Sequence, residues 1–426
     1  MIKLLTDAKN TNFLRLWLAQ VISQFGDRVN QMALVGLIAE RAGISTAHLT
    51  RIMIFTILPV FVIQPFAGVL IDRWDRKTTL FVCDLARGLL VLFIPIVFIR
   101  WEAILPIYII VFLVFSFSRF HVPAKMSIIP DIVEEEHLIT ANSLVTSTGM
   151  IASVLGLGLG GLIIEKMGAK NGFVLDALTF FLSGAIIFTI IPKKKIGISK
   201  DVIFEKGKEI VAKIKMTFWQ EFIAGFKYLL KHKEIRFIVY MFFILLAAVG
   251  AIYVISIVFI QEAFGSKTMH LGSVAVSLCV GLFLGVLFYG RWGKKEHWDT
   301  TIFSCLSAGG VILIAFAAVV HAYPVIWFAM ALALCLGMVV GPIFIASYTM
   351  VHLLCDDEMR GKIFSALEIV IHLAFLLAML ASSWAARFVP KVSILVGVGA
   401  IVIVTGLIGF LKTRWGRIAY NKGSAA

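Results

Sequence analysis

Ionisable side chains set inside apolar sequence are the first place to look for chemistry. Asp27 and Arg28 stand in the middle of a long apolar run, close to Gln24, Asn30 and Gln31. Helical spacing puts Gln24, Asp27 and Gln31 on one stripe, while Arg28 shares a face with Gln24 and Gln31. Neighbouring helical residues point about 100° apart, so Asp27 and Arg28 each need a partner of their own. Glu368 and His372 are four apart in another apolar run and share a face; imidazole is the side chain whose charge changes nearest neutrality, so the pair can carry protons. Asp84 and Arg87 share a face three apart. Arg119 and His121 close a further run, and Arg119 and Lys125 can meet an anionic head group. Asp176 has no partner evident from spacing. A charged group at a helix centre costs roughly 3 kcal/mol unless it pairs or lines an aqueous path. These groups are therefore either a buried polar set or a substrate and proton pathway, and the second reading is preferred. A cationic substrate would use Asp27 or Glu368.

Other patterns fail on context. Gly156-Leu-Gly158-Leu-Gly160-Gly161 matches a dinucleotide fingerprint, but it lies inside an apolar run with no strand before it. Its small residues are expected to let helices pack closely. His352 and Asp357 have an acyltransferase spacing without a soluble catalytic domain around them. The cysteines (Cys83, Cys279, Cys305, Cys335, Cys355) are scattered and read as packing residues. No phosphate-binding loop of the Gly-x4-Gly-Lys type occurs. The expectation is a protein that is not an enzyme and uses no cofactor or metal.

The elements that must position these groups are long apolar helices. Hydrophobic residues make up 60% of the 426, and the mean hydropathy is +0.97. A spanning helix needs about 20 apolar residues. Twelve candidate spans follow: 14–39, 48–70, 78–99, 104–124, 139–164, 171–191, 235–261, 270–290, 300–320, 323–350, 362–386 and 391–412. The fold class is thus an all-α membrane protein. Met1–Asn10 holds no short apolar run with a small-residue cleavage site, so the first span is expected to remain a helix.

The net charge of +14 is arranged by topology. Of 39 Lys and Arg, 28 fall in or beside the N-terminus, alternate loops and the C-terminus; eight fall in or beside the other loops, and the remaining three, Arg28, Arg87 and Arg119, stand further inside spans. The positive-inside rule then places both termini in the cytoplasm of a plasma (cytoplasmic) membrane. The basic loops meet anionic membrane lipids, and no nucleic acid is implied. A polar stretch over 192–234 separates an N-terminal six-helix bundle (1–191) from a C-terminal one (235–426). Within it Ile210, Ile214, Phe218, Phe222, Phe226 and Leu229 recur at helical spacing among lysines, which describes a basic amphipathic helix on the inner membrane surface. The two halves also share a repeat. Gly68-Val-Leu-Ile-Asp72-Arg73-Trp74-Asp75-Arg76-Lys77 ends the second span, and Gly285-Val-Leu-Phe-Tyr-Gly290-Arg291-Trp292-Gly293-Lys294-Lys295 ends the eighth. Parallel six-helix repeats describe one large class of secondary transporters.

In the first copy Gly68 allows close helix approach, Asp72 can face an arginine or a helix N-terminus, and Arg73, Arg76 and Lys77 sit at the inner interface. Together they form a charge-assisted latch that must break as the halves rock, with Asp84 and Arg87 in support. This loop resembles the signature after the second helix of the major facilitator superfamily, with Asp75 where the general pattern has glycine. Phe25-Gly26-Asp27, Pro123-Ala124-Lys125 after the fourth span, Ile129-Pro130-Asp131, Ala141-Asn142 and Arg360-Gly361-Lys362 resemble the branch of macrolide- and siderophore-exporter-like proteins and lysophospholipid transporters. The glycine run resembles an antiporter motif, with Leu157 where that motif has proline. The resemblance implies proton-coupled export of an amphipathic or hydrophobic small molecule by alternating access, by a monomer. The alternative is a lysophospholipid flippase or importer, suggested by Lys125 after its Pro-Ala pair and by Leu157.

Overall fold

The structure, a computed structural model, describes residues 10–71, 74–100, 105–191, 233–292, 298–354 and 357–423. Twelve helices account for nearly all of them: α1 (Thr11–Ala42), α2 (Thr46–Val62), α3 (Gln64–Ile71), α4 (Arg76–Arg100), α5 (Leu105–Ile132), α6 (Leu138–Phe188), α7 (Lys233–Phe264), α8 (Met269–Trp292), α9 (Trp298–Ala322), α10 (Ile326–Leu354), α11 (Asp357–Ala385) and α12 (Lys391–Gly423). Among the described residues there is no strand. In lipid only internally bonded helices or closed barrels satisfy every backbone group, and this composition takes the first solution.

Helices and spans are not one to one. The second span breaks between α2 and α3 just before Pro65, which has no amide hydrogen to extend the ladder. The fifth and sixth spans run together as α6, interrupted at Gly168 with φ 81° and ψ 162°. That left-handed φ is open to glycine at little cost. The contacts on either side show that the chain doubles back there. Gly156 and Gly160 lie against Arg28 and Val29 of α1, yet Gly172 meets Ala33 and Asp176 approaches Gly26. A straight helix would carry residue 176 about 30 Å from residue 156, so both arms must line the same stretch of α1. Nine helices among the described residues are long and apolar enough to cross a membrane, the 49-residue stretch of α6 being one of them. Counted as two, and joined by α1 and the broken α2–α3, it completes twelve crossings.

The fourth span corrects an expectation. Its helix does not stop near residue 124 but continues through Pro123 and Pro130 to Ile132. Pro123, Ala124 and Lys125 therefore lie within α5 rather than after it, and Lys125 is buried. Arg119 and His121 are interior to the helix, not at its close.

The described residues divide into two compact units, Met1–Gly43 with Arg51–Glu221, and Ile44–Thr50 with Phe222–Ala426. Their internal pairings correspond. In the first, α1 packs on α6, α4 on the second arm of α6 and on α5, and α3 on α5. In the second, α7 packs on α11, α9 on α12 and α10, and α8 on α10. Gly285, the repeat glycine of α8, abuts the backbone of α10 at Met338. Apolar side chains such as Phe93, Phe283 and Ile401 point away from the protein, as lipid-facing surface should. The amphipathic helix expected over 192–234 lies, save for its last two residues, outside the described residues.

Candidate functional site

The first unit builds a charged cluster from four helices. In α4, Asp84 and Arg87 are three apart and pair directly. Both are buried, so each needs further partners. Ser183 of α6 donates to Asp84 Oδ2 at 2.6 Å, and His121 Nε2 of α5 lies 3.3 Å from Asp84 Oδ1. The Arg87 guanidinium stacks 4.2 Å over the Phe180 ring. Its Nη1 reaches toward α1, 3.7 Å from Asp27 Oδ2. Asp84 has no exposed side-chain surface, whereas Asp27 keeps 38%. The arginine thus bridges a wholly enclosed carboxylate and a reachable one. Lys125 of α5 lies within electrostatic range of Asp27, Arg87 and Asp84.

Asp176 belongs to the same group. It is fully buried on α6, against the backbone of Gly26. Asn30 of α1 and Thr179 hydrogen-bond to it, and its Oδ2 has no hydrogen-bond partner among the described residues. Asp176, Thr179 and Ser183 recur at i, i+3 and i+7, a polar stripe in an apolar span. That stripe was the signal in the sequence for Thr179 and Ser183, which were not singled out there.

Arg28 turns the other way, as the 100° step demands. Its Nε donates to Ser153 at 3.1 Å and its Nη1 to Gln31 at 3.0 Å. Gln24 lies beside Gly149, and Arg119 Nη1 is 3.4 Å from Gln64 Oε1. So Asp27 is brought to Arg87, Asp84 and Lys125, while Arg28 and Gln31 form a separate polar contact with α6. Glu368 and His372 lie on α11 of the second unit, where His372 Nδ1 meets the main-chain carbonyl of Glu368 at 2.8 Å. The imidazole is thereby tied to its own helix backbone through that nitrogen.

Of the latch residues, Asp72 and Arg73 lie outside the described residues, and Gly68 is in α3. Arg76 pairs with Asp131 at the end of α5, 2.5 Å away. Lys77 sits 5.2 Å from the Phe188 ring, and Trp74 stacks on Phe120. Asp75, the departure from the general pattern, accepts the Thr78 amide at 2.7 Å and so caps the start of α4. Glu134, Glu136 and His137 bring ligand atoms within 4.8 Å of one another at the surface; acidic groups so exposed carry no argument for an ion.

Residues 16–379 match the model of the Major Facilitator Superfamily. The chain belongs to that superfamily. Over 359 residues it is 25% identical to the uncharacterized MFS-type transporter YkuC of Bacillus subtilis, covering 83% of this chain and 81% of the relative. The putative bacilysin exporter BacE of Bacillus subtilis is 24% identical over 83% of this chain and 82% of its own length. Macrolide efflux protein A of Streptococcus pyogenes is 24% identical over 67% of each. Among solved structures, the POT family transporter PepTSo superposes with a TM-score of 0.70 at 12% identity, covering 96% of this chain and 99% of that one. The nucleoside transporter NupG superposes with a TM-score of 0.67 at 12% identity over 94% and 100%; at such identities the likeness shows the fold alone. This member of the superfamily is a multi-pass membrane transporter of small molecules.

Proposed function

We propose that this transporter exports an amphipathic or hydrophobic small molecule by alternating access, driven by inward movement of protons through the cluster at Asp27. The observation that carries the reading is a carboxylate midway along α1, 38% exposed, held 3.7 Å from an arginine that is itself locked to a buried aspartate. A half-exposed carboxylate at that depth is stable only beside water or a ligand. When Asp27 takes a proton, Arg87 loses its outer anion and keeps Asp84; when Asp27 releases it, the bridge re-forms. A substrate competing for Asp27 or its cations exchanges with the proton through the same group. The efflux proteins among the relatives support the outward direction. The alternation of basic loops supports termini in the cytoplasm and a plasma-membrane location, and the correspondence of helix pairings supports two six-helix bundles joined by the 192–234 linker.

Transport by inverted vesicles tests the reading directly. Flux should require an imposed proton gradient, collapse on addition of an uncoupler, and be absent in Asp27→Asn. Flux that survives the uncoupler removes the proton from the mechanism. An Asp27→Asn variant with normal flux moves the site elsewhere.

A further inference from the structure

Two carboxyl groups of the first unit, Asp84 and Asp176, are enclosed without exposed surface, and their surroundings differ. Asp84 has Arg87 as its ion pair, the Ser183 hydroxyl at 2.6 Å and His121 Nε2 at 3.3 Å. Asp176 has no ion pair among the described residues. The Thr179 hydroxyl is directed at the Asp176 main-chain carbonyl, 2.7 Å away, and stands 3.4 Å from Oδ1. The carboxyl group's other donor is Asn30 of α1. Two buried oxygen atoms are left over, Asp176 Oδ2 and Asn30 Oδ1, neither with a hydrogen-bond partner among the described residues. They belong to side chains already bonded to each other. Two orphan acceptors on one bonded pair lack a single thing, a donor.

The charged groups that face Asp176 from the neighbouring helices give a carboxylate no relief. Arg87 of α4 is within electrostatic range, but it is already shared between Asp84 and Asp27. Asp27 of α1 is in range with the same sign, and two neighbouring carboxylates do not readily both ionise. Of the two, Asp27 keeps 38% of its side chain exposed and can hold its charge in contact with water. An enclosed carboxyl group without an opposite charge takes up a proton instead. A proton on Oδ2 removes the charge and supplies the missing donor together.

We propose that Asp176 is a neutral carboxylic acid paired reciprocally with the Asn30 carboxamide, accepting from its N–H and donating through Oδ2 to its carbonyl oxygen, and that this clasp positions Asp27. Asp176 Oδ1 lies 2.5 Å from where a methyl group on Gly26 would stand. Gly26 and Asn30 are four apart, so one face of α1 is held against the second arm of α6. Asp27 lies between them in the chain and about 100° round the helix from Gly26, so the clasp fixes the direction in which it meets Arg87. Asp176 keeps its proton while Asp27 exchanges one, a consequence that rests on the export reading above.

Infrared difference spectra of the full chain in lipid nanodiscs test the pair without any substrate. Subtracting Asp176→Asn from the natural protein at neutral pH should leave the carbonyl stretch of one neutral carboxylic acid. Asn30→Leu should move that band to higher frequency, because the acid loses its partner. Carboxylate bands in its place, or an acid band that Asn30→Leu leaves where it was, overturn the proposal. Positioning is read from Asp27 itself, whose carboxyl band is identified by subtracting Asp27→Asn. It should titrate at the same pH in the natural protein and in Asp176→Asn, which keeps a neutral acceptor and donor in place. In Asp176→Leu, of similar shape without the polar atoms, the titration should shift. A shift in Asp176→Asn would show that a charge had been removed, and an unmoved titration in Asp176→Leu that nothing was positioned; either result overturns the proposal. Should Asp176→Leu not fold, the Asn30→Leu and Asp176→Asn spectra decide. An Asp27 that never titrates would sink the proton-driven reading and leave the acid–amide pair standing.

Discussion

The two units pair their helices in the same pattern and bury different chemistry. Every buried charged residue among the described ones, Asp84, Arg87, Lys125 and Asp176, lies in the first unit, with His121 beside them. Among the described residues, the buried polar ones of the second are Gln261 and the hydroxyl residues Thr50, Ser266, Thr268, Ser277, Ser382 and Ser383. Its α8 and α10 meet backbone to backbone: Gly281 and Gly285 abut Leu334 and Met338, and Gly337 and Gly341 abut Leu278 and Leu282. Close approach of small residues is how helices associate where lipid is as apolar as leucine. A duplicated architecture therefore needs only shape to repeat. Among the described residues, buried charge is placed in one copy, and the other closes on small residues.

The sharpest way to break that contrast is to move the activity. Asp27→Asn should reduce transport to background while yield and thermal unfolding stay normal. Glu368→Gln in the second unit should retain at least about a tenth of the flux. Were Glu368→Gln the more severe of the two, the working site would belong to the second unit.

Stability should divide along the same line. Asp84→Ala leaves Arg87 enclosed without its principal anion, and breaking a buried pair in this way costs about 3–5 kcal/mol. Equilibrium unfolding in mixed detergent micelles measures it, and a loss below about 1 kcal/mol would mean that Asp27 or water had replaced the pair. For the frame, Gly281→Val drives a branched side chain into the Leu334 backbone and should cost about 1–3 kcal/mol. Gly397→Ala, where a methyl group meets nothing within 4 Å, should be neutral or stabilise by up to about 1 kcal/mol through helix propensity. If both glycine variants behave alike, close packing is not what holds the second unit.

The smallest difference is between two serines. Ser183 bonds the Asp84 carboxylate at 2.6 Å, and Ser382 bonds the Met379 carbonyl of its own helix at 3.1 Å. Ser183→Ala should cost about 1.5–3 kcal/mol, as hydrogen bonds to charged groups do, and Ser382→Ala about 0.6 kcal/mol or less. Thermal unfolding of the two variants side by side decides it. Equal losses would show that the Asp84 site is loosely enough packed for water to substitute.

Much of this was legible one helix at a time. The apolar runs announced spanning helices because lipid accepts little else. The three-residue step from Asp84 to Arg87 announced a pair because helix geometry puts them side by side. The adjacency of Asp27 and Arg28 announced that they would look in different directions, and Arg87 and Ser153 are the partners they found. Lys125 was misplaced for a local reason: Pro123 reads as the end of a helix, since proline removes a donor and crowds the preceding turn. In a bundle, neighbouring groups can take up the freed carbonyl, so α5 continues and carries Lys125 inward.

By itself the sequence determined the family, the spanning helices and which side chains are too costly to leave unpartnered, because each depends on composition, motif or a period along one chain. Only the tertiary structure decided that Asp84, Arg87, Asp27, His121, Lys125 and Asp176 form one group. Those partners lie up to about 150 residues apart in the chain. Their meeting depends on the depth and rotation of four helices, set by where Gly156, Gly160 and Gly172 let α6 close on α1 and by the reversal at Gly168. Side-chain spacing along a helix carries no record of how far that helix slides or turns against its neighbour; packing settles both.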